Sequence, residues 1–249
     1  MRRTLRYTLY LLPLLLTPPL KGQSPDTETA TAETQMPGQD STRVRGLRIG
    51  YDLAGLSLLY FDPGRMTYNF SLDYEAWQDI YPVLEFGFQK VSLERDNYHY
   101  LSGGWYGRAG ADVNLLKYEG TKVYEMMYAG LRYGFASFTQ RADNIQVGED
   151  YFGGVDGGSL PEKRLTAHWL CVTGGVRVEV FRNFFIGWSL LAGLKLAQVK
   201  DPRMEPYFIP GLGQGGKRAG VVVNYSLFYR IPLQTYHPVK VIKKREQPE

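Results

Sequence analysis

From residue 46 onward, apolar and polar residues alternate one for one, and the alternation recurs in eight segments. The first sets Leu47, Ile49, Tyr51 and Leu53 against Arg48, Gly50 and Asp52. The second sets Met66, Tyr68, Phe70, Leu72 and Tyr74 against Thr67, Asn69, Ser71, Asp73 and Glu75. The third opposes Leu84, Phe86 and Phe88 to Glu85, Gly87 and Gln89, and the fourth Trp105, Ala109, Val113 and Leu115 to Arg108, Gly110, Asp112 and Asn114. The fifth opposes Met127, Leu131, Tyr133 and Phe135 to Tyr128, Gly130, Arg132 and Gly134. The sixth opposes Leu170, Val172, Val176, Val178 and Val180 to Cys171, Thr173, Arg177 and Glu179. The seventh places Phe184, Ile186, Trp188, Leu190 and Leu194 opposite Gly187, Ser189, Gly193 and Lys195. In the eighth, Val221, Val223, Tyr225, Leu227, Tyr229 and Ile231 face away from Asn224, Ser226 and Arg230. A period of two marks a strand with two unlike faces, and no helical period competes with it.

The connections predict an up-and-down order. Short links fall near Gln78-Asp79, Glu119-Gly120 and Arg182-Asn183, and longer ones over 54–65, 91–99, 137–164 and 198–217. Strict alternation of short and long puts all short turns at one end of the sheet. That asymmetry belongs to outer-membrane barrels, with short periplasmic turns and long external loops. An even strand number then leaves both termini in the periplasm.

Parity alone does not say which face is outside, because a soluble barrel alternates too. Three features decide it. The apolar set carries Trp105, Trp188 and many Tyr and Phe, more ring volume than an eight-stranded interior holds. The polar set is interleaved with Gly50, Gly87, Gly110, Gly130, Gly134, Gly187 and Gly193, which have no use on a wet face but make room in a crowded one. The charges of that set also balance: Arg48, Arg108, Arg132, Arg177, Lys195 and Arg230 against Asp52, Asp73, Glu75, Glu85, Asp112 and Glu179. Buried charges need partners, so the sequence predicts a lumen filled by an ion-pair network of these twelve residues and an exterior facing lipid. Trp77, Tyr81, Tyr118, Tyr124, Phe181 and Phe184 gather at the short-turn end, where an interfacial aromatic belt is expected.

The stretch GLRIGYDLAGLSLLYFDPGRMTYNFSLDYEAWQDIYPVLEFG carries Gly50, Asp52 and Leu53 in its first strand, Asp73 and Glu75 in its second, and Glu85 and Gly87 in its third. In these motifs the chain resembles a family of small outer-membrane barrel proteins of unknown function from Bacteroidota, over roughly residues 44 to 240. The resemblance implies a place and a fold and carries no reaction. The chain departs from the wider outer-membrane pattern at its end. Such barrels usually stop at an aromatic residue of the last strand, whereas this one runs on from Ile231 through PLQTYHPVKVIKKREQPE.

Charge sharpens the picture at the N-terminus. The chain holds 29 Lys+Arg and 25 Asp+Glu, and Arg2, Arg3, Arg6 and Lys21 supply the whole surplus from the first 22 residues. The remainder of the chain is neutral, with no basic face for nucleic acid. The arginines precede an apolar stretch from Tyr7 to Leu20, too short to span as a helix, so residues 1–22 read as a signal peptide. Residues 23–43 lack aromatics and are rich in Thr, a disordered periplasmic tether. The barrel is then expected over 44–232 and a charged periplasmic tail, with Lys240, Lys243, Lys244 and Arg245, over 233–249.

Chemistry is sparse. His99, His168 and His237 share no metal-ligand spacing, and the single Cys171 excludes a disulfide framework and a Cys-based zinc site. His99 falls in an expected external loop near Asp96, Tyr98 and Ser102, residue types that a rim hydrolase or acyltransferase would use. Glu149, Asp150 and Asp156 lie among glycines without the spacing of a calcium loop. The expectation is therefore a non-enzymatic accessory subunit of an outer-membrane assembly for protein insertion or secretion, with no cofactor and no metal. Its partners would be outer-membrane lipid and other outer-membrane or periplasmic proteins, and no nucleic acid. A small-solute channel and an outer-leaflet enzyme are the alternatives.

Overall fold

Each alternating segment forms a strand, because only an extended backbone puts successive side chains on opposite faces. The computed structural model describes residues 43–236 apart from 56–59, 61, 63, 96–97, 117–123, 148–154 and 200. Eight long strands are β1 (Arg43–Asp52), β2 (Arg65–Tyr74), β3 (Ile80–Arg95), β4 (Tyr98–Asn114), β5 (Met126–Val147), β6 (Val155–Phe181), β7 (Phe184–Gln198) and β10 (Ala219–Tyr236). They close into a barrel in the order β1-β10-β7-β6-β5-β4-β3-β2, every neighbouring pair antiparallel. β1 and β10 seal it through pairs from Arg43↔Tyr236 to Asp52↔Ser226, so both ends of the described chain lie at one end of the barrel, here the terminal end. Closure leaves no edge strand, the requirement for a sheet that crosses a membrane. Among the described residues no helix is long and apolar enough to cross a membrane.

The tight turns use residues that tolerate a left-handed backbone. Asp79 and Asn183 have φ of 62° and 66°, and Asn and Asp are the side chains that enter this region most readily. The Asn183 N–H also donates to Glu179 Oε1 at 2.7 Å.

The expected long loops are mostly strand. Val91–Arg95 and Tyr98–His99 belong to β3 and β4, and Ser137–Val147 and Val155–Arg164 to β5 and β6. The strict alternation of short and long links therefore fails: only residues 96–97 separate β3 from β4, while eleven residues, 115–125, separate β4 from β5 at the terminal end. The physical reason is visible on β5. Beyond Phe135 the outward positions become Ser137, Thr139, Arg141 and Asp143, so the hydropathy contrast vanishes while the hydrogen-bonded ladder continues. The bounds expected for the barrel also shift. β1 begins at Arg43 and β10 runs to Tyr236, so the last strand does end on an aromatic residue. Residues 1–42 and 237–249, with the expected signal peptide and the basic residues of the tail, lie outside the described residues.

One element was not foreseen. Between β7 and β10, at the distal end, β8 (Phe208–Ile209) and β9 (Gly213–Gln214) pair as a small hairpin. The segment FIPGLGQGG places three apolar residues in a glycine-rich loop. Its turn requires glycine: Gly211 and Gly213 have φ of 76° and 111°, and a Cβ on Gly211 would run into the Tyr106 ring.

Candidate functional site

The two faces of the barrel wall are chemically opposite. Outward positions such as Phe70, Leu84, Phe86, Trp105, Leu131, Val172, Val221 and Val223 are exposed and apolar. Inward positions bury Arg48, Asp73, Glu85, Arg108, Asp112, Arg132 and Arg177. A soluble barrel has the reverse arrangement; apolar-out and polar-in is the membrane one.

The buried charges form one continuous chain across the lumen. Arg48 Nε meets Asp73 Oδ1 at 2.5 Å, and Asp73 Oδ2 meets Arg177 Nη1 at 2.8 Å. Arg177 Nη2 lies 3.6 Å from Asp112 Oδ2, which accepts from Arg132 Nη2 at 2.8 Å. Arg132 Nη1 pairs with Glu85 Oε1, and Glu85 Oε2 lies 2.5 Å from Arg108 Nε. Asp112 at the middle is fully enclosed, at 0% exposure. These seven residues join β1 through β6, so the chain is a cross-lumen brace as much as a filling. Arg177 continues it onto rings, 4.6 Å from the Tyr128 centroid and 4.4 Å from that of Phe228 on β10. Small residues make the space: a Cβ on Gly110 would meet Arg132, and one on Gly130 would meet Asp112.

Four arginines and three carboxylates share this chain, so it does not take in all twelve expected members. Asp52 is buried but accepts the backbone N–H of Ala54 at 3.0 Å and of Tyr225 at 3.1 Å. Lys195 donates to Gly215 O at 2.5 Å and Gln198 Oε1 at 2.7 Å. Arg230 stands at the terminal end, 3.3 Å from the Tyr124 ring centroid, and donates through Nη2 to Asn183 Oδ1 at 2.9 Å. Glu179 caps the Asn183 turn, and Glu75 is buried on the inner face. Asp52, Glu179, Lys195 and Arg230 sit toward the strand ends, where they bond backbone groups, side-chain amides and a ring.

The distal half of the lumen holds an apolar cluster among buried polar side chains such as Gln89, Ser102 and Gln140, contrary to the all-polar filling expected. Tyr106, Ala136, Phe138, Leu165, Ala167, Trp169, Cys171 and Leu191 form a buried cluster, closed from above by Ile209 and Leu212 of the hairpin loop. Ile209 has 0% exposure. Large rings do fit the interior because glycines face them: Gly87 faces Tyr106, Gly134 faces Trp169, and Gly50 and Gly187 face Phe228. The loop is tied down by Arg108 Nη1 donating to Gly211 O at 3.2 Å, Gly211 N–H to Gln89 Oε1 at 3.2 Å, and Gln140 Nε2 to Met204 O at 3.0 Å. Arg108 thus links the ion chain and the apolar cluster. Cys171 is buried, its Sγ 3.5 Å from Arg132 O.

The expected belt at the terminal end is partial. Trp77 (63% exposed), Phe181 (73% exposed) and Phe184 point outward. Tyr81 does not: it shares the parity of Glu85, and Arg48 lies 4.5 Å from its ring centroid. Tyr124 is taken up by Arg230, and Tyr118 lies outside the described residues. His99 bonds the hydroxyl of Ser92 at 3.1 Å, both on the outward face, whereas Ser102 is buried on the inward face. His168, also outward, lies 2.6 Å from Tyr133 Oη. Asp96, Glu149, Asp150 and His237 fall outside the described residues, as does the Asp156 side chain. Among the described residues no group of three His, Cys, Asp or Glu is placed to hold a metal.

A family model described as Domain of unknown function (DUF6048) matches residues 4–236, nearly the whole chain. The chain belongs to the DUF6048 family. None of the curated proteins matches it. Among solved structures it is similar to Ail, the attachment invasion locus protein of Yersinia pestis, at 12% identity and a TM-score of 0.37, over 78% of this chain and 100% of that one. It is also similar to Neisserial surface protein A, at 9% identity and a TM-score of 0.33, over 78% of this chain and 97% of that one. At this level neither adds to what the strand order already establishes.

In this DUF6048 chain the missed lumen residues, Tyr106, Phe138, Trp169, Phe185, Leu191 and Phe228, are inward-facing and apolar. Tyr106, Phe185, Leu191 and Phe228 sit beside outward apolar residues, so the local period of two is silent about them, and around Phe138 the contrast is reversed, with Ser137 and Thr139 outward. The one available signal was the inward glycines, several of which have a bulky ring as their partner on the adjoining strand, as in Gly87↔Tyr106, Gly134↔Trp169 and Gly50↔Phe228.

Proposed function

We propose that the protein is an integral outer-membrane barrel without enzymatic activity, working as an accessory subunit of an outer-membrane assembly for protein insertion or secretion. The observation that carries this reading is a lumen closed twice, by the ion chain from Arg48 to Arg108 and by Ile209 and Leu212 above it. A sealed barrel offers a partner its outer wall and its ends rather than a passage. The same closure argues against the small-solute channel. In this reading the terminal end faces the periplasm, residues 1–22 direct export from a Gram-negative cell, and the family's home is the Bacteroidota. Affinity purification of the tagged protein from outer membranes in mild detergent, with its native mass, tests the proposal. A defined larger assembly supports it, and a lone particle overturns it.

The Ser92–His99 hydrogen bond favours one second reading, a hydrolase at the distal rim, because a hydroxyl bonded to a base is an activated nucleophile in outline. Release of fatty acid from phospholipid in mixed micelles, abolished by Ser92→Ala and by His99→Ala, would support it. Turnover unchanged in both variants, or absent from the parent, would end it.

A further inference from the structure

The outer wall of β3 to β6 changes character at a shared boundary. The outward row on β3 runs Leu84, Phe86, Phe88 and then Lys90; on β5 it runs Tyr133, Phe135, Ser137, Thr139 and then Arg141; on β6 it runs Leu170, His168, Thr166 and then Arg164. On all three strands the first charge beyond the apolar rows is basic and the next is acidic: Lys90 before Glu94, Arg141 before Asp143, Arg164 before Glu162. Arg141 and Asp143 pair at 2.6 Å. Lys90 and Arg164 are exposed, and among the described residues neither has an acidic partner within salt-bridge distance.

These two cations end one cross-strand row, Lys90↔Gly103↔Thr139↔Arg164. Three strand spacings of about 4.8 Å separate their backbones, and only Gly103 and Thr139 stand between. The Lys90 stem leans across β4, its Cγ 3.7 Å from where a Cβ of Gly103 would be. Immediately on the apolar side of this row lies a groove of about 350 Å³ lined by Tyr68, Phe70, Phe86, Gly87, Phe88 and Trp105. The Trp105 ring stacks on Phe86 at 5.1 Å and tilts against Phe88 at 4.8 Å. On the other side are the bonded Ser92 and His99.

We propose that this face binds one anionic, phosphate-bearing membrane lipid, an acyl chain in the aromatic groove and the phosphate between Lys90 and Arg164. The proposal rests on the membrane-barrel reading. An apolar groove alone accepts any hydrocarbon; a row of cations that begins with Lys90 at its upper edge and ends with Arg164 two strands beyond Trp105 selects a molecule with an acyl chain and an anion at headgroup height. Ser92 and His99 add hydrogen-bonding groups at the same height, and the acidic residues beyond would repel the phosphate back toward the row.

The test uses the full chain reconstituted in phosphatidylcholine vesicles with a minority of phosphatidylglycerol, gently extracted, with the retained lipid quantified by mass spectrometry. Phosphatidylglycerol is expected to be enriched over its share of the vesicle. Lys90→Glu with Arg164→Glu should lower that enrichment roughly fivefold per cation, the weight of one cation at an anionic surface. Lys217→Glu, at an exposed position in the hairpin loop, should leave it unchanged. Trp105→Ala should reduce retained lipid of both kinds. Retention in the vesicle's own ratio, or a double variant that behaves as the parent, overturns the proposal. Failure to insert into vesicles of either composition overturns the barrel reading instead.

Discussion

Arg132 is the hinge of the buried charge chain, since among the described residues it alone joins Asp112 to Glu85. Removing one partner of a buried ionic group leaves the others desolvated and unpaired, at a cost of about 3–5 kcal/mol. Arg132→Ala is expected to lose that much in denaturant unfolding from lipid vesicles; a loss no larger than that of an exposed substitution would mean the chain does not brace the barrel. Gly134 tests the packing of the apolar cluster. A Cβ there would meet the Trp169 indole, and overpacking of this kind costs about 1–3 kcal/mol. Gly134→Ala should therefore destabilise the parent, and do so much less in a Trp169→Leu background. Outside the membrane-spanning wall, the side-chain bonds from Arg203, together with its backbone N–H and the Lys163 ammonium, hold Asp201 down to about 2, below its ordinary 3.8. A depressed carboxylate contributes stability that is fully present above the ordinary value and is lost as the pH falls through the folded one. Hydrogen exchange in the loop around Asp201 should thus accelerate as the pH drops from 3.8 toward 2 beyond its intrinsic pH dependence, and Asp201→Asn should remove that acceleration.

At the scale of elements, the hairpin loop decides whether the mouth is open. Its ties to Gln89, Arg108, Gln140 and Lys195 come from four different strands, so it is fixed to the wall on several sides. Replacing residues 204–216 with a Gly-Ser linker should uncover Trp169 and Leu191 and lower the unfolding free energy, since each side chain it buries contributes about 1.5–3 kcal/mol. It should not create a pore, because the ion chain still crosses the lumen beneath. Planar-bilayer recordings of parent and replacement are both expected to be silent; stable channels in the replacement alone would mean that the loop is the only seal. The strands themselves differ in legibility along their length. β5 was readable from Met126 to Phe135, where lipid imposes apolar outward positions, and unreadable from Ser137 to Val147, where both faces meet water or protein. Strand length outside a membrane is set by backbone pairing, which leaves no mark on hydropathy.

For the molecule as a whole, the alternation already implied a closed antiparallel barrel with its polar face inward. Eight strands of period two with bulky outward rings and inward glycines have no other way to bury charge and satisfy the backbone in lipid. Inward membership of the seven linked charges was legible for the same reason, because parity follows from the strand. Which of the twelve meet was not: Asp73 and Arg177 are 104 residues apart and face each other only because β2 and β6 stand across the lumen. The Ser92 partner of His99 was missed on similar grounds, since the chain reads as loop there and the bond exists only across the β3–β4 ladder. The hairpin plug depends on closure in the same way, as Ile209 and Leu212 have no apolar neighbours until the barrel rim surrounds them. Local alternation is a property of one strand and can be read along it. The charge chain, the plugged mouth and the lipid-facing groove are properties of strands brought together, and they appear only once the sheet has closed.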